Sequence, residues 1–241
     1  MYSVLHGLLA DRTGGAVFTC FGLWHWCWIG LAAALFVFLM KQRHPERFPD
    51  RLAALAFGLY ILDFFLMPLA YGQIDIEKLP FHVCTAMCLM CFFSRRSPRL
   101  AKYRQAFVLL GFLSNFVYLC YPAGVMWHRV SPLSYRVIQT LLFHALMTVY
   151  GLIALWNDPP RPGRRELAVL AAMTAWAILG NRMYNGTAGD YDHFFNWFFV
   201  IRDPFYILPE HIAPWLMPPL NILIFFIAEH LICALLRIVK K

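Results

Sequence analysis

Two side chains in the sequence, the thiol of Cys84 and the imidazole of His144, could act as a nucleophile and a general base. A cysteine becomes an effective nucleophile when an adjacent base takes its proton, and histidine is a common base for that purpose. His82 lies nearer in sequence, but residues two apart on a helix point to different faces. If Cys84 is a nucleophile, we therefore expect His144 to be its base.

Four further polar residues could complete such a site. Asp63 or Asn115 could orient the imidazole of His144, as the third member of a triad does. Asn115, Gln139 or backbone N–H groups could stabilise an oxyanion. His82 remains a supporting candidate because it is close to the thiol in sequence.

The alternative interpretation of Cys84 is that it packs as a small apolar side chain, as buried cysteines often do. Cys88 and Cys91 fall on the same helical face, and we expect those two to be packing residues. No helix contains histidines at positions i and i+4, so no metal site is predicted. We expect no cofactor either.

The elements that must position these residues are membrane helices. The chain has 241 residues, of which 61% are apolar and only 14% are charged, whereas soluble domains average about 25% charged. A membrane-spanning helix needs about 20 mostly apolar residues. We predict one multi-pass transmembrane domain over residues 1–241, an all-α seven-helix bundle in the cell membrane, with helices at Phe18–Met40, Arg51–Tyr71, Leu79–Phe93 (Pro80 in its first turn), Arg104–Tyr121, Arg136–Trp156, Leu167–Met183 and Trp215–Arg237.

Basic residues predict the orientation of this bundle. Fifteen of the 21 Lys and Arg residues lie in the loops after helices one, three and five or in the C-terminal tail. The positive-inside rule then predicts an outside N-terminus and a cytoplasmic C-terminus. The same distribution accounts for the net charge of +8, so we do not expect nucleic acid as a partner.

Several polar residues fall inside the predicted spans and need a reason to be there. At about 1.5 Å per residue, Cys84 lies roughly 8 Å below the outer boundary, and His144 and Asp63 roughly 12 Å. These depths predict a polar cavity that opens toward the outer leaflet, unless each group makes a routine interhelical hydrogen bond. The full set is His25, Asp63, His82, Cys84, Asn115, Gln139, His144, Asn181, Asn221, Glu229 and His230.

Three elements resemble those of the YwaF-like integral membrane family, which includes the animal transmembrane protein 164 acyltransferases. The first is similar to that family's Leu-Pro-Leu-His-Leu-Cys element, the second to its Tyr-Pro turn followed by a helix with a histidine, and the third to its Asn-rich element. They are Leu79-Pro80-Phe81-His82-Val83-Cys84, the stretch from Tyr121-Pro122 through Gln139 to His144, and Asn181 to Asn185.

The resemblance implies an acyltransferase that moves fatty acyl chains between phospholipids. It implies that Cys84 forms an acyl-thioester and that His144 is the general base. Membrane phospholipids and their fatty acyl chains would then be the substrates. Either a lysophospholipid or water could accept the acyl group, and water would make the protein an acyl hydrolase.

Other functions, non-enzymatic and enzymatic, stay open beside that of an acyltransferase. A small transporter or a lipid-binding scaffold would use Asp63, Glu229 and His230 as a proton or ion relay, although no inverted repeat relates the two halves of the sequence. A hydrolase with Thr85 as its nucleophile is a further alternative. The aromatic stretch Tyr184–Pro214 is expected either to cover the site or to lie in the membrane interface.

Overall fold

The computed structural model describes residues 9, 15–72, 76–126, 129–185, 195–204 and 207–240. Within these residues every regular element is helical, and none is a β-strand. Short 3-10 turns cover Pro45–Arg47, Ile76–Lys78 and Trp197–Phe199. The α-helices of the described part are α1 (Leu23–Met40), α2 (Phe48–Tyr71), α3 (Val83–Phe93), α4 (Pro98–Ala101), α5 (Arg104–Cys120), α6 (Ala123–Met126), α7 (Tyr135–Asn157), α8 (Arg164–Asn185) and α9 (Ala213–Val239).

Six helical stretches of the described residues are long and apolar enough to cross a membrane. Four are α1, α7, α8 and α9, and the other two are Pro45–Leu69, which joins a 3-10 turn to α2, and Arg104–Met126, which joins α5 to α6. Large apolar side chains remain exposed along them, including Leu23, Phe65 and Leu231. Apolar surface on this scale suits contact with lipid chains and not with water. The all-helical, multi-pass membrane class predicted from the sequence is therefore confirmed.

The third predicted span differs from its prediction. Helix α3 has 11 residues, or about 16 Å at 1.5 Å per residue, and a bilayer core is about 30 Å thick. The predicted start at Leu79 is wrong, because the helix begins at Val83 after His82, whose backbone is extended (φ −69°, ψ 136°). Pro80 therefore lies outside the helix and not in its first turn. The count of seven spans and the orientation stay predictions.

The last two predicted spans are longer than expected. Helix α8 extends to Asn185, and α9 begins at Ala213, so that Pro218 and Pro219 lie inside α9 and do not open it. Together these bounds shorten the predicted non-helical stretch from both sides. Residues 186–194 and 205–206 of that stretch lie outside the described residues.

Contacts divide the chain into two compact units, and the first comprises Met1–Ile76 and Gly111–Asp158. In it α7 packs against α1 and α2. In the most apolar 18-residue stretch of α7, 78% of the residues are buried, whereas in that of α1 only 17% are buried. Helix α7 therefore forms the centre of this unit. Helix α5 approaches α7 closely at Gly151, where an added Cβ would lie 2.6 Å from the Cβ of Phe112.

The second unit comprises Glu77–Leu110 and Pro159–Lys241. In it α8 packs against α9, and the 3-10 turn Trp197–Phe199 packs against both helices. The first residues of α5, as far as Leu110, belong to this unit, and the rest of that helix belongs to the first.

Candidate active site

The imidazole of His144 is held by an amide in the first unit. Its Nδ1 lies 2.8 Å from Oδ1 of Asn115, and both side chains are buried. Asn115 donates its Nδ2–H to the carbonyl of Gly111 at 2.7 Å, which turns its Oδ1 toward the ring. An amide oxygen only accepts, and a neutral imidazole has one N–H. The proton therefore sits on Nδ1, and Nε2 is the basic nitrogen.

Aromatic contacts fix the plane of the same imidazole. The ring of Tyr118 stacks on it with centroids 3.9 Å apart and an interplanar angle of 17°. Phe143 meets it edge-on at 5.2 Å. Tyr118 lies on α5, one turn from Asn115, so a single helix supplies both the hydrogen bond and the stack. The close passage of α5 and α7 at Gly151 makes this possible.

The other two supporting candidates of this unit bond elsewhere. Asp63, which is 2% exposed, accepts a hydrogen bond from the hydroxyl of Tyr135 at 2.7 Å through its Oδ1. Gln139 accepts one from the hydroxyl of Thr140 at 3.3 Å through its Oε1. Of the two groups considered as partners for His144, the structure thus places Asn115 at hydrogen-bonding distance.

Cys84 lies in the second unit, as the second residue of α3. The first backbone N–H groups of a helix have no acceptor within it, and they favour negative charge nearby. The hydroxyl of Thr85 donates to the carbonyl of His82 at 3.0 Å, so that side chain is engaged in the start of the helix. Cys84 is 9% exposed, whereas Cys88 is fully buried.

The non-helical residues before Cys84 are fixed by aromatic rings. The indole N–H of Trp176 donates to the carbonyl of Pro80 at 2.7 Å. The ring of Phe81 stacks on Trp176 at 4.8 Å and on Trp197 at 4.9 Å. Gly180 leaves room for it, because a Cβ there would overlap the Phe81 ring. This packing explains why the backbone before Val83 departs from a helix.

Two asparagines of α8 hold the backbone of the segment that carries Trp197. Asn181 donates to the carbonyl of Trp197 at 3.0 Å and accepts its N–H at 2.9 Å. One turn later, Asn185 makes the same pair of bonds with Phe195, both at 2.8 Å. Asn221 of α9 donates to the carbonyl of Phe198 at 2.7 Å. We call the two pairs of hydrogen bonds made by Asn181 and Asn185 the asparagine clamp.

The sequence analysis predicted no role for Asn181 or Asn185. A signal for the asparagine clamp is present, because asparagines four residues apart share one face of a helix and can reach alternate residues of an extended segment. The clamp holds Trp197 against Phe81, three residues before the cysteine. It thereby links the Asn-rich element to the Leu79–Cys84 element within one unit.

Cys84 and His82 thus belong to the second unit, and His144, Asn115, Asp63 and Gln139 belong to the first. Across the described residues, no group of three or more His, Cys, Asp or Glu side chains is arranged to hold a metal ion.

A model of the TMEM164 family matches residues 20–240, which is nearly the whole chain. The resemblance drawn from the three sequence elements is therefore confirmed. No curated protein and no solved structure matches the chain.

Proposed function

The chain belongs to the TMEM164 family, and from that premise we propose that it is a cell-membrane acyltransferase that moves fatty acyl chains between phospholipids through a thioester on Cys84. The observation that carries this proposal is the 2.8 Å hydrogen bond between His144 and Asn115. A histidine whose Nδ1–H is held by an amide presents a basic Nε2, which is the form that a general base needs. The position of Cys84 in the first turn of α3 is the second support.

In the first half of the proposed reaction, Nε2 of His144 takes the proton of the Cys84 thiol. The thiolate attacks the carbonyl carbon of a phospholipid ester, and a tetrahedral oxyanion forms. Backbone N–H groups in the first turn of α3 are suited to stabilise it, and Gln139 is the side-chain candidate for that role. The C–O bond then breaks, and the lysophospholipid alkoxide leaves with the proton from the imidazolium.

In the second half, the hydroxyl of another lysophospholipid gives its proton to His144 and attacks the thioester carbonyl. The C–S bond breaks, and the thiolate of Cys84 regains the proton. Water in place of the lysophospholipid would release a free fatty acid. The ratio of the two products therefore reports whether the protein is a transferase or a hydrolase.

The test is an acyl-exchange assay on the purified protein in mixed micelles. A phosphatidylcholine with a labelled acyl chain is supplied with an unlabelled lysophospholipid of a different head group. Wild type is expected to move the label to the second head group, and Cys84→Ala is expected to lose that activity. Cys88→Ala is the matched control, because it removes a buried thiol one turn further along the same helix. Full exchange by Cys84→Ala would refute the assignment of the nucleophile.

A buried carboxylate supports a second candidate function, that of a proton-coupled transporter. Glu229 in α9 has no exposed surface, and neither of its carboxylate oxygens has a hydrogen-bond partner among the described residues. A carboxylate so placed in a membrane helix is suited to carry a proton. His230 is exposed and bonds to the carbonyl of Phe226, so it does not join Glu229. Solute flux in vesicles that Glu229→Gln abolishes, without acyl exchange, would select this function.

A further inference from the structure

Four basic side chains in the second unit converge on one open cleft of about 320 Å³. Lys102 follows α4, and the other three come from the loop before α8 and its first turn. Glu166 is the acid among the residues that form the cleft. The complete lining is Lys102, Gln105, Ala106, Arg161, Gly163, Arg164, Arg165 and Glu166.

The positive charge of the cleft is not neutralised by its surroundings. In the described part of the chain, no ion pair involves Lys102, Arg161, Arg164 or Arg165, and all four side chains are exposed. Glu166 is 6% exposed, and its carboxylate accepts the backbone N–H of Gly163 at 2.8 Å, at the start of α8. That carboxylate is thus engaged in capping the helix. The lining carries four positive charges against one negative charge.

The backbone of the cleft adds to the preference for an anion. Helix α8 has 22 residues, and the N–H groups of its first turn point out of its N-terminus, where a helix attracts negative charge. The loop before α8 is also anchored, because Arg237 of α9 donates to the carbonyl of Pro160 at 3.3 Å. The three arginines of the cleft are therefore presented from an anchored loop and a helix end.

The positive-inside rule explains why these loops are basic, but it does not require their charges to meet around a cavity. From the charge, the volume and the helix end together, we propose that this cleft binds the phosphate of an anionic phospholipid head group at the predicted cytoplasmic surface. Guanidinium groups match phosphate oxygens in geometry and charge. The loops that form the cleft are among those that the distribution of Lys and Arg predicts to be cytoplasmic, at the level of the lipid head groups.

The cleft is separate from the thiol of the proposed reaction. Cys84 lies at the start of α3, and Lys102 follows the other end of that helix beyond α4. The nine residues from Cys84 to Phe93 alone rise about 14 Å. The lipid in the cleft is therefore a second, acidic lipid and not the ester that Cys84 would attack. The inference does not depend on the proposed acyl transfer.

Binding of a short-chain acidic lipid to the purified full chain tests this assignment. Dioctanoyl phosphatidic acid is titrated into the protein in neutral detergent, and bound lipid is counted by native mass spectrometry. Wild type is expected to bind it saturably. The double variant Arg161→Gln/Arg164→Gln is expected to bind about 25-fold more weakly, at about fivefold for each basic residue. The control double variant Lys41→Gln/Arg43→Gln removes the same charge from the loop after α1 and is expected to bind as wild type does.

Glycerol 3-phosphate, tested alone and as a competitor, distinguishes a lipid from a soluble phosphate ester. Weak binding and weak competition are expected, because it lacks the acyl chains that would lie in the membrane. Equal affinity for glycerol 3-phosphate would overturn the assignment of a lipid. Equal weakening in both double variants would show that only net charge acts and would overturn the cleft as a site. The absence of saturable binding to wild type would do the same.

Discussion

Nδ1 of His144 and Oδ1 of Asn115 lie 2.8 Å apart, one on α7 and one on α5, with both side chains buried. Asn115 is in turn oriented by its bond to the carbonyl of Gly111. Three groups in a row therefore determine which nitrogen of the imidazole is basic. This chain of bonds lies within one unit of the protein, and the proposed catalysis depends on it.

Replacement of Asn115 tests that dependence. Asn115→Ala removes the acceptor that keeps the proton on Nδ1, so a larger share of the imidazole will carry it on Nε2. We expect kcat for acyl transfer to fall by about tenfold or more, since a buried hydrogen bond is worth about 1 to 2 kcal/mol. The measurement is the steady-state exchange rate in mixed micelles.

Ser114→Ala is the control for that variant. Ser114 is the neighbouring buried residue, and its hydroxyl also bonds to the carbonyl of Gly111, at 3.2 Å. It is expected to retain activity within about twofold, because it does not touch the imidazole. Equal losses in the two variants would mean that α5 is merely destabilised and that orientation of His144 has no part in the effect.

The asparagine clamp is expected to contribute strongly to stability. Asn181→Ala would leave both the N–H and the carbonyl of Trp197 without their partners in a buried setting. We expect it to lower the free energy of unfolding by about 2 to 4 kcal/mol. Denaturant unfolding in mixed micelles measures this, and Asn181→Asp, which keeps an acceptor for the Trp197 N–H, should lose less. Wild-type stability in Asn181→Ala would contradict the clamp.

A methyl group at Gly180 is expected to displace the ring of Phe81. The displaced ring can no longer stack between Trp176 and Trp197, and overpacking of this kind costs about 1 to 3 kcal/mol. Gly58→Ala is the matched control, because an added Cβ in the middle of α2 meets nothing within 4 Å. Thermal unfolding should show a lower midpoint for Gly180→Ala and an unchanged or higher midpoint for Gly58→Ala. Equal midpoints would show that the Phe81 ring yields without cost.

The short helix α3 makes the membrane topology a testable point. If residues 79–93 complete a crossing, Lys78 and Arg99 lie on opposite sides of the membrane, as the distribution of basic residues predicts. A membrane-impermeant maleimide added to intact cells should label Lys78→Cys and leave Arg99→Cys unlabelled until the membrane is opened. Labelling of both positions from outside would place α3 on one side and reduce the number of spans to six.

The membrane class and most helix positions follow from hydropathy alone, because long apolar runs admit few other structures. The start of α3 could not be predicted in this way. Leu79–His82 are apolar enough for a helix, but Trp176 and Trp197, about 100 residues away, hold them in another conformation. Contacts of this range leave no local signal in the sequence.

The hydrogen-bond partner of His144 is a second feature that the sequence could not predict. Both Asp63 and Asn115 are predicted at about the membrane depth of His144, because the rise per residue of a helix fixes depth. Depth alone therefore allows either residue to orient the imidazole. The rotation of each helix about its axis decides which group faces the ring, and near-uniform apolar helices carry little information on rotation. The structure shows that rotation, in which Asp63 accepts a hydrogen bond from the hydroxyl of Tyr135.

The central claim is that an acyl group rests on Cys84 during turnover. The most direct measurement is peptide mapping by mass spectrometry after rapid acid quenching of the protein with a phospholipid carrying a labelled acyl chain. We predict hydroxylamine-sensitive label on the peptide that contains Cys84, absent in Cys84→Ala and strongly reduced in His144→Ala. Acyl exchange at the wild-type rate without label at Cys84 would contradict the claim.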